Sequence, residues 1–315
     1  MSPADRKRIV HHLIRAVILT GFAMYIVFLV RSDNLTLYIA PRMTIYVKLS
    51  AIGLYATAIY QLYAALQAWA GRKTAACECN HEPPSSITKN ILIYGMFVLP
   101  LVLGFTLPDA ALGSSAAAKK GVNFAGAEVL NSGSSRAATL PPAGSGVQDE
   151  PVKTAAPLPG GVKTDEELDV MFPADEYTEA HASYGKKLYA QEVISVPEKQ
   201  FIETLTTLDL FRQNYIGKTV EISGFVHRQE GMTKNQFALS RFAMNCCSAD
   251  ALPYGLMISY PRAATYNNDV WLKVRGELTE ELFDGNKIIV LKAKQLQAIA
   301  APESPYIYPD YDFGL

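Results

Sequence analysis

The chain has 315 residues, 49% of them apolar, with a mean hydropathy of +0.08 and a net charge of −1. That is too long for one small domain and too apolar for a soluble protein that also carries a long polar segment, so a membrane component is the first expectation. A charge this close to zero leaves no broad basic surface for nucleic acid, and four cysteines in two local pairs are not the framework of a small disulfide-stapled domain.

The basic start, with Arg6, Lys7 and Arg8, runs into an apolar stretch from Leu13 to Val30 whose only charge is Arg15. At 1.5 Å per residue this stretch is about 27 Å long, enough to cross a hydrocarbon core. No small-residue cleavage site follows, which predicts an uncleaved signal anchor. After the turn RSDNLTLYIAPRM comes a second span, Thr44 to Trp69, in which Gly53, Ala56, Ala64 and Ala65 offer small surfaces for helix packing. A third span, Ile91 to Leu107, contains Pro100, where a kink is expected.

Positive residues set the expected orientation. The N-terminus and the second loop, with Arg72, Lys73 and Lys89, carry more of them than the first loop, with Arg31 and Arg42. The excess places the N-terminus inside, and three crossings then put everything after Leu107 outside the cytoplasm. The second loop contains CECNHE, in which Cys77, Cys79 and His81 present three zinc- or copper-competent ligands on one side of an extended segment. The same loop is equally readable as reduced chain with inert thiols.

Residues 112–163 are dominated by Ala, Gly, Ser and Pro and read mostly as a disordered linker between a membrane domain, 1–111, and a second domain, 164–315, with the entering stretch LPDAALGSSAAAKKG also able to pack at the membrane surface. In that second domain a short strand at Glu192 to Val196 precedes a helix with Phe201, Leu205, Leu208 and Phe211 at core-facing spacing. Five strands follow, Thr219 to Arg228, Gln236 to Met244, Leu252 to Tyr260, Val270 to Glu280 and Asn286 to Ile299, with a bend or bulge expected at Gly224. The fold class is therefore α+β: N-terminal transmembrane helices plus a C-terminal, mainly-β barrel domain of OB-like type, with a surface-lying tail.

The vicinal pair Cys246 and Cys247 lies between the second and third of these strands, among the turn formers Asn245, Ser248, Asp250, Pro253 and Gly255. Three readings stay open. The thiols, with Asp250 and His227 as plausible co-ligands, hold a soft metal; or they form a strained or redox-active disulfide, as an oxidising compartment favours; or they fill space. Adjacent residues on a strand point to opposite faces, so both sulfurs reach one ion only if a bend turns them together. An OB barrel can also hold single-stranded nucleic acid, but Lys and Arg are not concentrated beside Phe237, Phe242, Tyr254 and Tyr260. No Gly-x-Ser-x-Gly, His-Glu-x-x-His or phosphate loop is present, so no enzyme is expected.

The three spans, the Pro41-Arg42 pair after the first, LPDAALGSS after the third, GFVHR with NCCSADALPYGLMI, and PYIYP near the end resemble the YcgQ-like family of candidate permease subunits. The resemblance implies a multi-pass cell-membrane protein with its C-terminal domain outside, set among membrane lipid and beside a separate polytopic permease of the YcgR type. It also implies a link to zinc or other metal homeostasis. The expectation is an accessory subunit that binds or hands over a soft metal, zinc favoured, with a vicinal-disulfide redox protein or sensor as the alternative.

Overall fold

The computed structural model describes residues 3–70, 86–122, 124 and 164–315, and the chain divides into two compact units. The first comprises Met1–Ala111 together with Met244–Ala251, and the second Leu112–Ala243 with Leu252–Leu315.

In the first unit α1 (Pro3–Arg31), α2 (Thr44–Trp69) and α3 (Ile87–Thr106) form three helices long and apolar enough to cross a membrane. Val17, Ile52, Tyr60, Leu92 and Met96 are all more than half exposed, which is the distribution expected where lipid rather than water covers the helices. Helix α3 runs unbroken through Pro100. Ala64 and Ala65 are buried as expected of packing positions, whereas Gly53 faces open space. The close approaches are elsewhere: a side-chain carbon added at Gly21 would lie 2.5 Å from Leu101, and one at Gly104 would lie 2.8 Å from Tyr25, so α1 and α3 meet through glycines. Two short 3₁₀ turns, Asn34–Leu37 and Pro41–Met43, make the connection from α1 to α2.

The second unit opens with α4 (Ser114–Lys120), α5 (Asp165–Met171) and α6 (Glu179–Tyr189), then β1 (Val193–Ser195), α7 (Phe201–Leu210) and α8 (Arg212–Tyr215). It continues with β2 (Thr219–His227), β3 (Gln236–Ala243), β4 (Leu252–Ser259), β5 (Trp271–Phe283), β6 (Asn286–Ala298) and β7 (Tyr306–Ile307). Strands β2, β5, β6, β4 and β3 pair in that order, and β3 returns to β2, so the sheet closes on itself. All of these pairings are antiparallel except β4 with β6. Five strands closed in this order are compatible with an OB-like barrel.

The alternation that made the strands legible is the one that fills the barrel. Leu272, Val274 and Leu278 of β5 are buried, while Lys273 and Glu277 point outward and pair with Glu221 and Lys294, each at 2.7 Å. Phe201, Leu205 and Leu208 of α7 enter the same core, and Phe211 is half-buried against it.

Three expectations are corrected. The β2–β5 register passes Gly224 without a bulge, and the irregularity lies between β5 and β6 at Arg275/Gly276. Gly224 is small because a side-chain carbon there would stand 2.7 Å from the Ser240 carbonyl oxygen. The tail lies on the surface only in part: Tyr306 and Ile307 are buried and pair with β3, while the residues on either side of them are exposed or half-buried. The segment read as the start of the linker is folded from Leu112 to Val122, because Asp269 accepts from both the amide and the hydroxyl of Ser114 at 2.6 Å and Phe124 enters a small cluster with Met257 and Val290. Residues 125–163 lie outside those described.

The tightest strand approach is at Gly255, where a side-chain carbon would be 2.1 Å from the Leu239 carbonyl oxygen. Gly255→Ala should cost about 2 kcal/mol and lower the thermal midpoint of the purified full chain by several degrees. An unchanged midpoint would contradict this packing.

Candidate metal centre

The β3–β4 pairing ends with Ala243 opposite Leu252, and Met244–Ala251 form the turn between them. The Asp250 carboxylate organises this turn. It accepts from the amides of Asn245 (3.2 Å), Cys246 (2.7 Å) and Cys247 (3.4 Å), while its own amide donates to the Cys247 carbonyl at 3.1 Å. A short acidic side chain that folds back on the preceding amides is the local device that lets a chain reverse without leaving donors unpaired.

The consequence is chemical. Cys246 and Cys247 would point apart on a regular strand, yet their sulfurs lie 3.6 Å from each other and both are free thiols. A tetrahedral zinc with Zn–S bonds of about 2.3 Å needs its two sulfurs about 3.8 Å apart, so the pair already stands near a chelating separation. A disulfide would require about 2.05 Å. Cys246, Cys247 and Asp250 each offer one ligand atom within 4.8 Å of the others, and all three are half-buried.

The two thiols are electrostatically unlike. The hydrogen bond to the Asp250 carboxylate, followed by the one to Cys247, pushes the Cys246 thiol up to about 11. The Ala249 amide, then the Cys246 thiol and the Asp250 amide, hold Cys247 below its ordinary value. Burial alone would raise the Asp250 carboxyl, but its bonds from the Cys246 thiol and the turn amides outweigh this and keep it below the usual range. The carboxylate is thus held toward its ionised form, Cys247 is the more acidic of the two thiols, and Cys246 is the less acidic one.

The turn is fixed from outside by the loop between α1 and α2. Ile39 bridges Cys247 in an antiparallel β-bridge, the Ala40 amide donates to the Cys246 carbonyl at 3.0 Å, and the Ser248 amide donates to the Tyr38 carbonyl at 2.8 Å. Arg42 donates to the Asn245 carbonyl (3.2 Å) and to its side-chain oxygen (2.6 Å). Asp109, just past α3, ties the loop down in turn by accepting from Tyr38 (2.5 Å) and Asn34 (2.8 Å). The bond to Asp109 raises the Tyr38 hydroxyl well above its ordinary value.

Of the residues proposed from sequence, the structure brings together Cys246, Cys247 and Asp250. His227 is not one of them: it is fully buried in β2, with Nε2 3.2 Å from the Ser240 hydroxyl, and burial pushes its imidazole down to about 4. Cys77, Cys79 and His81 lie outside the described residues. The supports Asn34, Tyr38 and Asp109 were not singled out, although Asp109 falls within LPDAALGSS.

The DUF1980 N-terminal domain matches residues 14–123 and the DUF1980 C-terminal domain residues 171–309. The chain is also 26% identical over 313 residues to the UPF0703 protein YcgQ of Bacillus subtilis (strain 168), an alignment that covers 94% of this chain and 99% of that protein. The chain belongs to the YcgQ-like family. No solved structure matches it. The YcgQ-like stretches Pro41-Arg42, LPDAALGSS and NCCSADA, far apart in sequence, thus contribute Arg42, Asp109 and the thiol turn to one arrangement within the first unit.

The difference between the thiols predicts the order of their alkylation. With iodoacetamide near neutral pH and peptide mapping, Cys247 should react first, and Cys246 should follow only at distinctly higher pH. Equal rates across that range would contradict the assigned electrostatics.

Proposed function

We propose that this protein is a membrane-anchored accessory subunit whose Cys246 and Cys247, with Asp250, bind a soft metal ion, zinc favoured, and hand it to a polytopic permease. The observation that carries this reading is the 3.6 Å separation of two adjacent sulfurs turned to one side. Thiolates suit zinc and copper(I). On binding, the Cys246 proton is released, and the shift of Cys246 to about 11 makes that step the pH-sensitive one.

Two sulfurs and one carboxylate leave the fourth position of a tetrahedral ion open. Structural zinc sites are closed by four protein ligands, whereas an open position admits an incoming ligand, which is what a donor site requires. The three apolar helices anchor the protein. After Asp5 they carry no carboxylate in their sequence, so they offer little of a cation path themselves, and a separate permease would supply it. The distribution of positive residues supports placing the thiols outside the cytoplasm. The role is one of binding rather than catalysis.

The unequal ionisation of the pair favours one alternative. A more acidic Cys247 beside a less acidic Cys246, 3.6 Å away, also suits closure to a vicinal disulfide by an external oxidant, which would make the pair a redox sensor.

Full-chain protein in detergent, loaded with zinc and desalted, should retain about one ion per chain through this chelate. A Cys246→Ser, Cys247→Ser double variant should lose that ion. No retained metal, with a mass two hydrogens lighter before reduction, would overturn the metal reading in favour of the disulfide.

A further inference from the structure

The other end of the three-helix unit holds a second site. A cavity of about 330 Å³ opens between α1, α2 and α3, with Arg15, Gln61, Asn90 and Tyr94 as its polar lining. Ile18, Leu19, Ile93 and Phe97 continue the lining as an apolar wall. The polar residues lie in the first half of α1, the second half of α2 and the first half of α3, so they share one half of the three-helix unit. Ile18 and Leu19 lie one turn further along α1 than Arg15, and on α3 Ile93 follows Asn90 and Phe97 follows Tyr94 by three positions each.

The polar lining is held in place. His12 Nδ1 is 2.6 Å from the Gln61 side-chain carbonyl, which leaves that side-chain NH₂ for another acceptor, and His11 Nδ1 is 2.8 Å from the Tyr94 hydroxyl. Arg15 lies one turn below His11 on the same face of α1. It makes no ion pair among the described residues, and past Asp5 the three helices contain no Asp or Glu to provide one. An arginine within a candidate span, Arg6–Arg31, is costly without an anion or water, and its planar fork matches a phosphate better than any other side chain does.

We infer that this cavity seats an anionic phospholipid, its headgroup phosphate on the Arg15 guanidinium and the Gln61 amide and its first acyl carbons along Ile18, Ile93 and Phe97. Charge selects the ligand: the lining supplies a cation and amide donors and no carboxylate, and a basic pocket between spans suits lipid headgroups. An apolar wall that continues past the charged and amide groups, with Ile18 and Leu19 beyond Arg15 and Phe97 beyond Tyr94, matches a lipid and not a free ion. This inference does not depend on the thiols, which belong to the turn before β4 and are held by the loop after α1.

The test is native mass spectrometry of the full chain in detergent with phosphatidylglycerol or phosphatidylcholine of identical acyl chains. Phosphatidylglycerol should be retained at least about fivefold better. Arg15→Gln should abolish that preference, Arg15→Lys should keep part of it, and Lys48→Gln, which alters a cation outside the cavity, should leave it intact. Equal retention of the two lipids would overturn the assignment, as would an unchanged preference in Arg15→Gln. Displacement of the lipid by millimolar inorganic phosphate would overturn it in favour of a free-phosphate site. A thermal midpoint for Arg15→Gln matching that of the parent chain would show that the loss reflects the site and not unfolding.

Discussion

The arrangement at the thiols depends on one interaction, the gathering of the Asn245, Cys246 and Cys247 amides by the Asp250 carboxylate. Without it the chain leaving β3 would carry its side chains alternately to the two faces and separate the sulfurs. With it, backbone donors that a tight reversal would otherwise orphan are satisfied, and the sulfurs come to 3.6 Å. The carboxylate also sets the chemistry, because besides gathering the amides it is hydrogen-bonded to the Cys246 thiol, the first cause of its raised pKa. A single residue is thus both the support of the turn and the third donor of the site.

The turn is over-determined. A bond from the Ser248 amide to the Tyr38 carbonyl, one from the Ala40 amide, a bridge to Ile39 and the two bonds from Arg42 hold it along one side, while Asp109 fixes Tyr38 and Asn34 behind that contact. A chelating pair needs this support, since donors left to find their geometry lose affinity to the cost of ordering them. The same bonds give a bound ion a physical route by which its arrival could be felt in the α1–α2 loop, through side chains and amides that touch one another in sequence.

Much of this was legible in the sequence. The three spans are visible because lipid demands long uninterrupted apolar runs, and the five barrel strands because a half-buried strand alternates, as Leu272, Val274 and Leu278 do. The turn formers around Cys246 announced a bend. The convergence of Tyr38, Arg42 and Asp109 on that bend was not legible, because Arg42 and Asn245 stand 203 positions apart and nothing local records their pairing. Strand β7 was hidden by its two-residue length and proline-rich setting, and α4 by an Ala/Ser composition that looks like linker until Asp269, a residue with φ of 67°, binds Ser114. His227 shows the opposite error: a histidine with ligand chemistry that is fully buried beside Phe225 and the Ser240 hydroxyl.

The most direct measurement of the central claim is X-ray absorption at the zinc edge on full-chain protein carrying one equivalent of zinc. The account predicts two sulfur scatterers at about 2.3 Å with the remaining positions filled by oxygen or nitrogen. A first shell with no sulfur, or with only one, would show that Cys246 and Cys247 do not chelate together and would contradict it.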